Sequence, residues 1–259
     1  MRRLRFATLG SGSRGNATVI ACGRTVVLMD CGFAVNETLR RLGALGLSGE
    51  DLSAIVVTHE HGDHMGGVAR LARRFKLPVW LTAGTYRGGG APKLPDVRLF
   101  NPHEGFAIGD VAIQPYPVPH DAREPCQFVF SDGDQRLGVL SDAGHVTPHM
   151  RRCLNGLDAL ILEFNHDPQL LAAGPYPPEL QARVGGQLGH LNNHQAVELL
   201  AGIDRQTLQH LIAGHISEKN NTPAHVRRTV ASRLPAEAAG MTLAPQDEGL
   251  GWHELKRHG

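Results

Sequence analysis

Lysine is scarce in this 259-residue chain: only Lys76, Lys93, Lys219 and Lys256 stand among its 26 basic residues. Against 25 acidic residues the formal net charge is +1, so bulk charge makes no case for a polyanionic partner. Arginine supplies nearly all the positive charge, and its planar fork suits phosphate oxygens; a solvated arginine surface is the plainer reading of the same fact. The four cysteines, Cys22, Cys31, Cys126 and Cys153, form no CxxC pair. They read as small buried residues in a reducing compartment, and a chain of this length buries enough core to need no disulfide staple. No run of about eighteen apolar residues occurs, which argues against a membrane span. The basic opening MRRLRF lacks the hydrophobic region of a signal peptide, because Gly10-Ser11-Gly12-Ser13-Arg14-Gly15 breaks the apolar stretch behind it. A cytoplasmic protein is the expectation. Repeats, low-complexity tracts and linkers are also lacking, so residues 1–259 are expected to form one domain with a loosely structured tail from about residue 245.

What the chain has is histidine, fifteen in all, set among short apolar segments. Leu4 to Leu9 predicts a strand, and Thr18 to Cys22 with Thr25 to Asp30 predicts a hairpin around Gly23-Arg24. Val35, Leu39, Leu42 and Leu45 have helical spacing, and Val68, Leu71, Ala72 and Phe75 mark an amphipathic helix ending before Pro78. Further strands are expected at 52–57, 79–82, 111–118, 127–131, 136–140, 159–162 and 208–212, with helices at 178–184, 193–200 and 223–234. Strands with helices interleaved outside them predict an α/β fold of two sheets packed between helices.

The strand at 52–57 runs straight into His59-x-His61-x-Asp63-His64. Residues two apart on an extended chain project to one side, so His59 and His61 can grip one ion together. Asp63 and His64 follow where the chain turns into a helix and can face a second. Imidazole and carboxylate donors suit zinc, manganese or iron rather than a thiolate-bound structural zinc. Four ligand-type side chains in six positions behind an apolar strand make a chance histidine-rich loop a poor explanation. One loop cannot complete two coordination shells, however. His120, Asp142 and His215 each follow a predicted strand, where α/β enzymes place functional side chains. Each alone would be a surface or capping residue; their shared placement makes them candidate ligands.

These residues, with Asp30-x-Gly32 after an early strand, resemble the metallo-β-lactamase superfamily. Ser11-Gly12-Ser13-x-Gly15-Asn16, His120-Asp121-Ala122, Glu163-x-Asn165-His166-Asp167, Gly189-His190-Leu191-x-Asn193 and His215-x-Ser217-x-x-Asn220-Asn221 resemble its YycJ/WalJ branch of DNA exonucleases. The chain departs from the branch pattern at Glu218-Lys219, where Lys-Glu is usual, and at Asn192, where Ser is common. The resemblance implies a four-layer αββα sandwich, two mixed sheets flanked by helices. It also implies two divalent ions, zinc or manganese: His59, His61 and His120 on the first, Asp63, His64 and His215 on the second, and Asp142 bridging. Ions about 3.5–4 Å apart would share a hydroxide with a pKa near 7, which attacks phosphorus in line. Asp63 could also orient that nucleophile.

Other positions carry two readings each. Asp30 either accepts a hydrogen bond from a metal-bound imidazole or is a strand-end turn residue. Ser11, Ser13 and Asn16 lie in a loop that could present backbone N–H groups to a phosphate, as the branch resemblance favours, or in a plain hairpin turn. His166 and His190 could stabilise the scissile phosphate or protonate the leaving oxygen, His190 being the better placed by Gly189 and the helix start behind it; loop capping is the alternative, preferred for His194. Arg14, Arg87, Arg123 and Arg183 are candidates for a phosphate track that the sequence does not place. The expected function is a dinuclear phosphodiesterase, a DNA exonuclease with nucleic acid as its partner. A thioester or lactone hydrolase sharing the same metal site is the alternative, and a non-catalytic metal-binding module would require a degraded ligand set.

Overall fold

The structure, a computed structural model, describes residues 3–257, and the chain divides into two compact units. The first takes the chain up to Pro117, together with Ala122–Arg136 and the segment from Pro245 onward. It opens with β1 (Arg5–Gly10), β2 (Ala17–Cys22) and β3 (Thr25–Met29), paired antiparallel in succession. The β2–β3 turn falls at Gly23, whose φ of 59° is the left-handed conformation that a two-residue hairpin loop demands. Every residue of β2 and β3 is buried, which their near-continuous apolar sequences require. After helix α1 (Val35–Ala44) the chain adds β4 (Ala54–Val56), short helix α2 (Gly62–Met65), α3 (Val68–Phe75), β5 (Pro78–Leu81), α4 (Ala83–Gly88) and β6 (Asp96–Leu99). β3 to β6 are parallel neighbours, each crossover carrying helix. Because Met29 lies opposite Val56 in that ladder, the residues leaving β3 and β4, Asp30 and Val57-Thr58-His59, emerge side by side. Three more strands, β7 (Phe106–Ile108), β8 (Val111–Pro117) and β9 (Cys126–Ser131), form an antiparallel meander.

The second unit is Val118–Asp121 with Leu137–Ala244. It contains β10 (Arg136–Leu140), α5 (Pro148–Cys153), β11 (Ala159–Glu163), α6 (Pro168–Ala173), α7 (Pro178–Val184), α8 (Asn193–Ala201), β12 (His210–Gly214), α9 (Pro223–Ala231), α10 (Pro235–Gly240) and β13 (Thr242–Leu243). Its four strands are parallel, with Leu140 opposite Leu162 and Glu163 opposite Gly214. That register brings the carboxyl ends of β10, β11 and β12 to one edge, where open α/β sheets place their functional groups. The strand expected at 208–212 sits two residues later, so that His215 follows it without a spacer. The helix expected at 223–234 stops at Ala231, and Pro235, which cannot continue a helix interior, opens the next one.

The tail differs from expectation. Its residues form β14 (Leu250–Glu254), antiparallel to β1 at the edge of the first unit's sheet. Trp252 anchors it: the Arg5 guanidinium lies 4.0 Å above its ring, and Nε1 donates to the Leu45 carbonyl at 3.1 Å. Leu255 is fully buried behind it. Five residues with two apolar side chains are too few to register as a period, and a single indole supplies the anchor.

One glycine ties this fold to the motif loop. A Cβ on Gly32 would stand 1.8 Å from the Asp63 carbonyl oxygen and 2.9 Å from the Asn16 nitrogen, backbone atoms that cannot swing aside. Gly62, in the same region, has nothing within 4 Å. Gly32→Ala is therefore expected to lower unfolding free energy by about 1–3 kcal/mol, while Gly62→Ala stays within about 0.5 kcal/mol of the parent. Equal urea midpoints for the two variants would refute this explanation of the loop.

Candidate metal centre

In the first unit the ligand-type side chains are arranged by one buried carboxylate. Asp30 leaves β3 in the left-handed conformation (φ 60°) and is 1% exposed. Its oxygens accept from Thr58 N at 2.9 Å and Thr58 Oγ1 at 2.9 Å, and Oδ2 lies 2.8 Å from His64 Nδ1. Burial raises the Asp30 pKa, opposed by the His64 and Thr58 contacts. Since the Thr58 hydroxyl directs its proton to Asp30, it accepts from His59 Nδ1, 3.0 Å away. One carboxylate thus fixes the Nδ1 edge of both His59 and His64, directly and through a hydroxyl, and turns both Nε2 atoms to the opposite side. His59 Nε2 and His61 Nδ1 approach within 3.1 Å, their rings edge to face at 4.6 Å. Asp63 and His64 lie in α2, and Asn16 Nδ2 joins them, 3.2 Å from Asp63 Oδ2 and 3.0 Å from His64 Nε2.

The second unit repeats the device with a carboxylate the sequence did not single out. Glu163 closes β11 and is 1% exposed. Its Oε1 accepts from His190 Nδ1 at 2.9 Å and His215 Nδ1 at 2.8 Å; Oε2 accepts from Leu191 N at 3.0 Å and Ala143 N at 3.3 Å. Burial alone would raise its pKa, but the two imidazoles outweigh it and hold the group at about 2. His190 responds in kind: burial disfavours its charge, yet Glu163 and Asp142 raise its pKa. Asp142 Oδ1 lies 3.4 Å from His190 Nδ1 and 3.3 Å from His215 Nδ1. Asp142, Glu163, His190 and His215 bring one donor atom each within 4.8 Å of one another. Glu163 already engages all four lone-pair directions with N–H donors, so it orients its neighbours rather than ligating. His120 donates Nδ1 to the Gly189 carbonyl at 3.1 Å, and burial lowers its pKa, keeping the imidazole neutral as a ligand must be.

Backbone strain marks the same places. Among the described residues, five that are not glycine have positive φ, and three of them are Asp30, Asp142 (53°) and His215 (51°), each at a strand's carboxyl end. Such conformations cost of order 1 kcal/mol or more and persist where surrounding structure imposes them. The donor set, imidazoles with one edge anchored and carboxylates beside them, fits a divalent cation.

The other candidate residues have these surroundings. Four amides of the glycine-rich loop are already engaged: Gly12 N to Asn16 Oδ1, Arg14 N to Gln246 Oε1, Gly15 N to Gly12 O and Asn16 N to Asp63 O. Asn16 accordingly braces Asp63 and His64, while Ser13 is exposed and Ser11 half-buried. His166 is buried beside Asn165 Oδ1 at 3.3 Å, and burial lowers its pKa to about 4. Of the arginines, Arg14 is paired with Asp247 and Arg183 with Asp121. Glu163 was discoverable by the signal that found Asp142 and His215, an ionisable residue at the end of an apolar strand.

The chain matches the model of the β-lactamase superfamily domain over residues 25–216. It is 30% identical to the exodeoxyribonuclease YycJ of Bacillus anthracis, covering 92% of each chain, and 28% identical to the exodeoxyribonuclease WalJ of Streptococcus pneumoniae strain D39, covering 92% of this chain and 90% of that one. Among solved structures it resembles the metallo-β-lactamase fold protein YhfI of Bacillus subtilis, with a TM-score of 0.75, 16% identity, and 97% and 99% of the two chains covered. The expected architecture, two mixed sheets flanked by helices, is the fold of this chain.

Glu163→Gln keeps the side chain's size but places an amide where only acceptors fit. The expected outcome is a 10–100-fold loss of zinc affinity in chelator competition, of the order seen when a metal-bound histidine loses its supporting partner. Asp30→Asn should do the same. Unchanged affinity in both variants would show that the carboxylates do not support the metal site.

Proposed function

This chain belongs to the β-lactamase superfamily of hydrolases, in its YycJ/WalJ branch, and from that premise we propose that it is a dinuclear metal-dependent phosphodiesterase acting on nucleic acid, specifically a DNA exonuclease of the cytoplasm. Two divalent ions, zinc or manganese, would be held by His59, His61 and His120 and by Asp63, His64 and His215, with Asp142 available to both. The observation that carries the reading is the carboxylate-anchored set of imidazoles in each unit, which is the support a hydrolytic metal site needs. Choice of DNA rests on similarity along nearly the whole chain to proteins named exodeoxyribonucleases.

When bound, the ions would lower the pKa of a water and neutralise charge on the phosphate oxygens. The chain's own side chains do the rest. Asp63, held by Asn16, would accept a hydrogen bond from the attacking water and so turn the water's own lone pair towards phosphorus. As the new P–O bond forms and the old one breaks, the leaving oxygen needs a proton. His190 is placed to give it: Glu163 holds Nδ1, the ring is 21% exposed, and the Nε2 edge is turned away from the anchor. His166, with a pKa of about 4, is neutral at physiological pH and serves better as a hydrogen-bond partner than as an acid. Ser11, Ser13 and Asn16, in the glycine-rich loop, are assigned to substrate phosphate, with the Ser11 and Ser13 amides as the backbone N–H groups that would face it.

With end-labelled DNA and manganese, the protein should release mononucleotides from one end; EDTA should stop the reaction and added manganese restore it. Asp63→Ala should cut turnover at least 100-fold with the fold retained by circular dichroism, and His190→Ala by about 100–10,000-fold, the range of a lost general acid. Hydrolysis of a lactone or thioester with intact DNA would replace this function with the small-ester alternative.

A further inference from the structure

From His64 to Pro95 the chain contains no aspartate or glutamate, but six cations: Arg70, Arg73, Arg74, Lys76, Arg87 and Lys93. The rest of the chain then holds 20 basic and 25 acidic residues, so the near-zero net charge conceals a segregation of +6 against −5. All six side chains are exposed. Among the described residues none of the six makes an ion pair; Arg73 reaches only the Lys93 carbonyl, and Arg74 lies over the Phe75 ring. Six exposed arginines elsewhere, Arg14, Arg40, Arg98, Arg183, Arg233 and Arg257, each meet a carboxylate; among the described residues Arg24, Arg123, Arg152, Arg227 and Arg228 do not, but they lie at four separate places in the chain.

Arg70, Arg73 and Arg74 are spaced i, i+3, i+4 on α3 and share one face. The opposite face, Val68, Leu71 and Ala72, is buried in the first unit's core. α3 starts three residues after α2, the helix carrying Asp63 and His64, and Gly67 N is fixed to the Cys31 carbonyl at 2.7 Å. Unneutralised like charge on one rigid face raises the energy of the isolated protein unless a polyanion covers it. We propose that the α3 face is a sequence-independent contact for the phosphodiester backbone of nucleic acid, a deepening that rests on the phosphodiesterase reading. Arginines at helical spacing supply forks for successive phosphates and nothing that would read bases.

The test is fluorescence anisotropy with a labelled 30-nucleotide single-stranded DNA in EDTA, titrated from 50 to 200 mM NaCl. The triple variant Arg70→Ala/Arg73→Ala/Arg74→Ala should bind at least tenfold more weakly at 100 mM salt, and its log–log salt slope should be shallower by about 2, near 0.7 for each phosphate no longer neutralised. The triple lysine variant should keep the slope. Hydrolysis of bis(p-nitrophenyl) phosphate by the manganese-loaded protein should be equal in parent and triple alanine variant. Equal DNA affinity and slope in parent and triple alanine variant would overturn the proposal, as would loss of binding to anionic phosphatidylserine vesicles in place of DNA. If the parent fails to hydrolyse the small diester, the phosphodiesterase reading falls, and the anisotropy comparison still decides the α3 face on its own.

Discussion

A carboxylate stripped of water is costly, by several kcal/mol in real interiors, unless donors replace the lost hydration. Among the buried carboxylates of this chain, Asp30 and Glu163 each stand at the end of a parallel strand and are surrounded by N–H and O–H donors. The remaining donors are imidazole Nδ1 atoms, so the need to satisfy each acid dictates how the histidines stand. The two acids shift in opposite directions because one meets a single histidine and the other meets two: burial prevails at Asp30, while paired imidazoles prevail at Glu163. The fold enters through register. Parallel pairing aligns the strand ends within each unit, and the left-handed residues Asp30 in the first and Asp142 and His215 in the second turn the chain at those ends.

The amides form a second layer beneath the acids. Asn193 and Asn221 exchange hydrogen bonds at 3.1 and 2.8 Å, and Asn221 Nδ2 also donates to the Phe164 carbonyl at 2.8 Å. This buried pair joins the start of α8 to the segments that follow β11, which ends on Glu163, and β12, which runs into His215. Asn192, read in the sequence as a departure from the branch pattern, where serine is expected, caps α8 by accepting from Gln195 N at 2.9 Å, with Gln195 Oε1 accepting from Asn192 N in return. Asparagine and serine are near-equivalent caps, so that departure leaves the local structure intact.

Legibility in the sequence followed the range over which each signal is written. His59, His61, Asp63 and His64 lie within six residues behind an apolar strand, and both the motif and its strand could be read directly. Asp142 and His215 were visible because apolar runs precede them. Asn16 was visible as part of a loop but not in its role, since its partner Asp63 is 47 residues distant and the contact depends on Gly32 letting two backbones approach. Glu163 carried the same strand-end signal as Asp142, but its role as a support for His190 and His215 depends on partners 27 and 52 residues away that only tertiary packing brings to it. The tail strand escaped for a related reason: its pairing partner is at the other end of the chain.

Asp30 and Glu163 each orient imidazoles, and the number of divalent cations the protein takes up tests the proposed dinuclear site most directly. Elemental analysis by plasma mass spectrometry on protein loaded with zinc or manganese and freed of excess should return two equivalents per chain, both lost on dialysis against a strong chelator. Retention of no metal, or of a single ion at saturation, would contradict the dinuclear assignment.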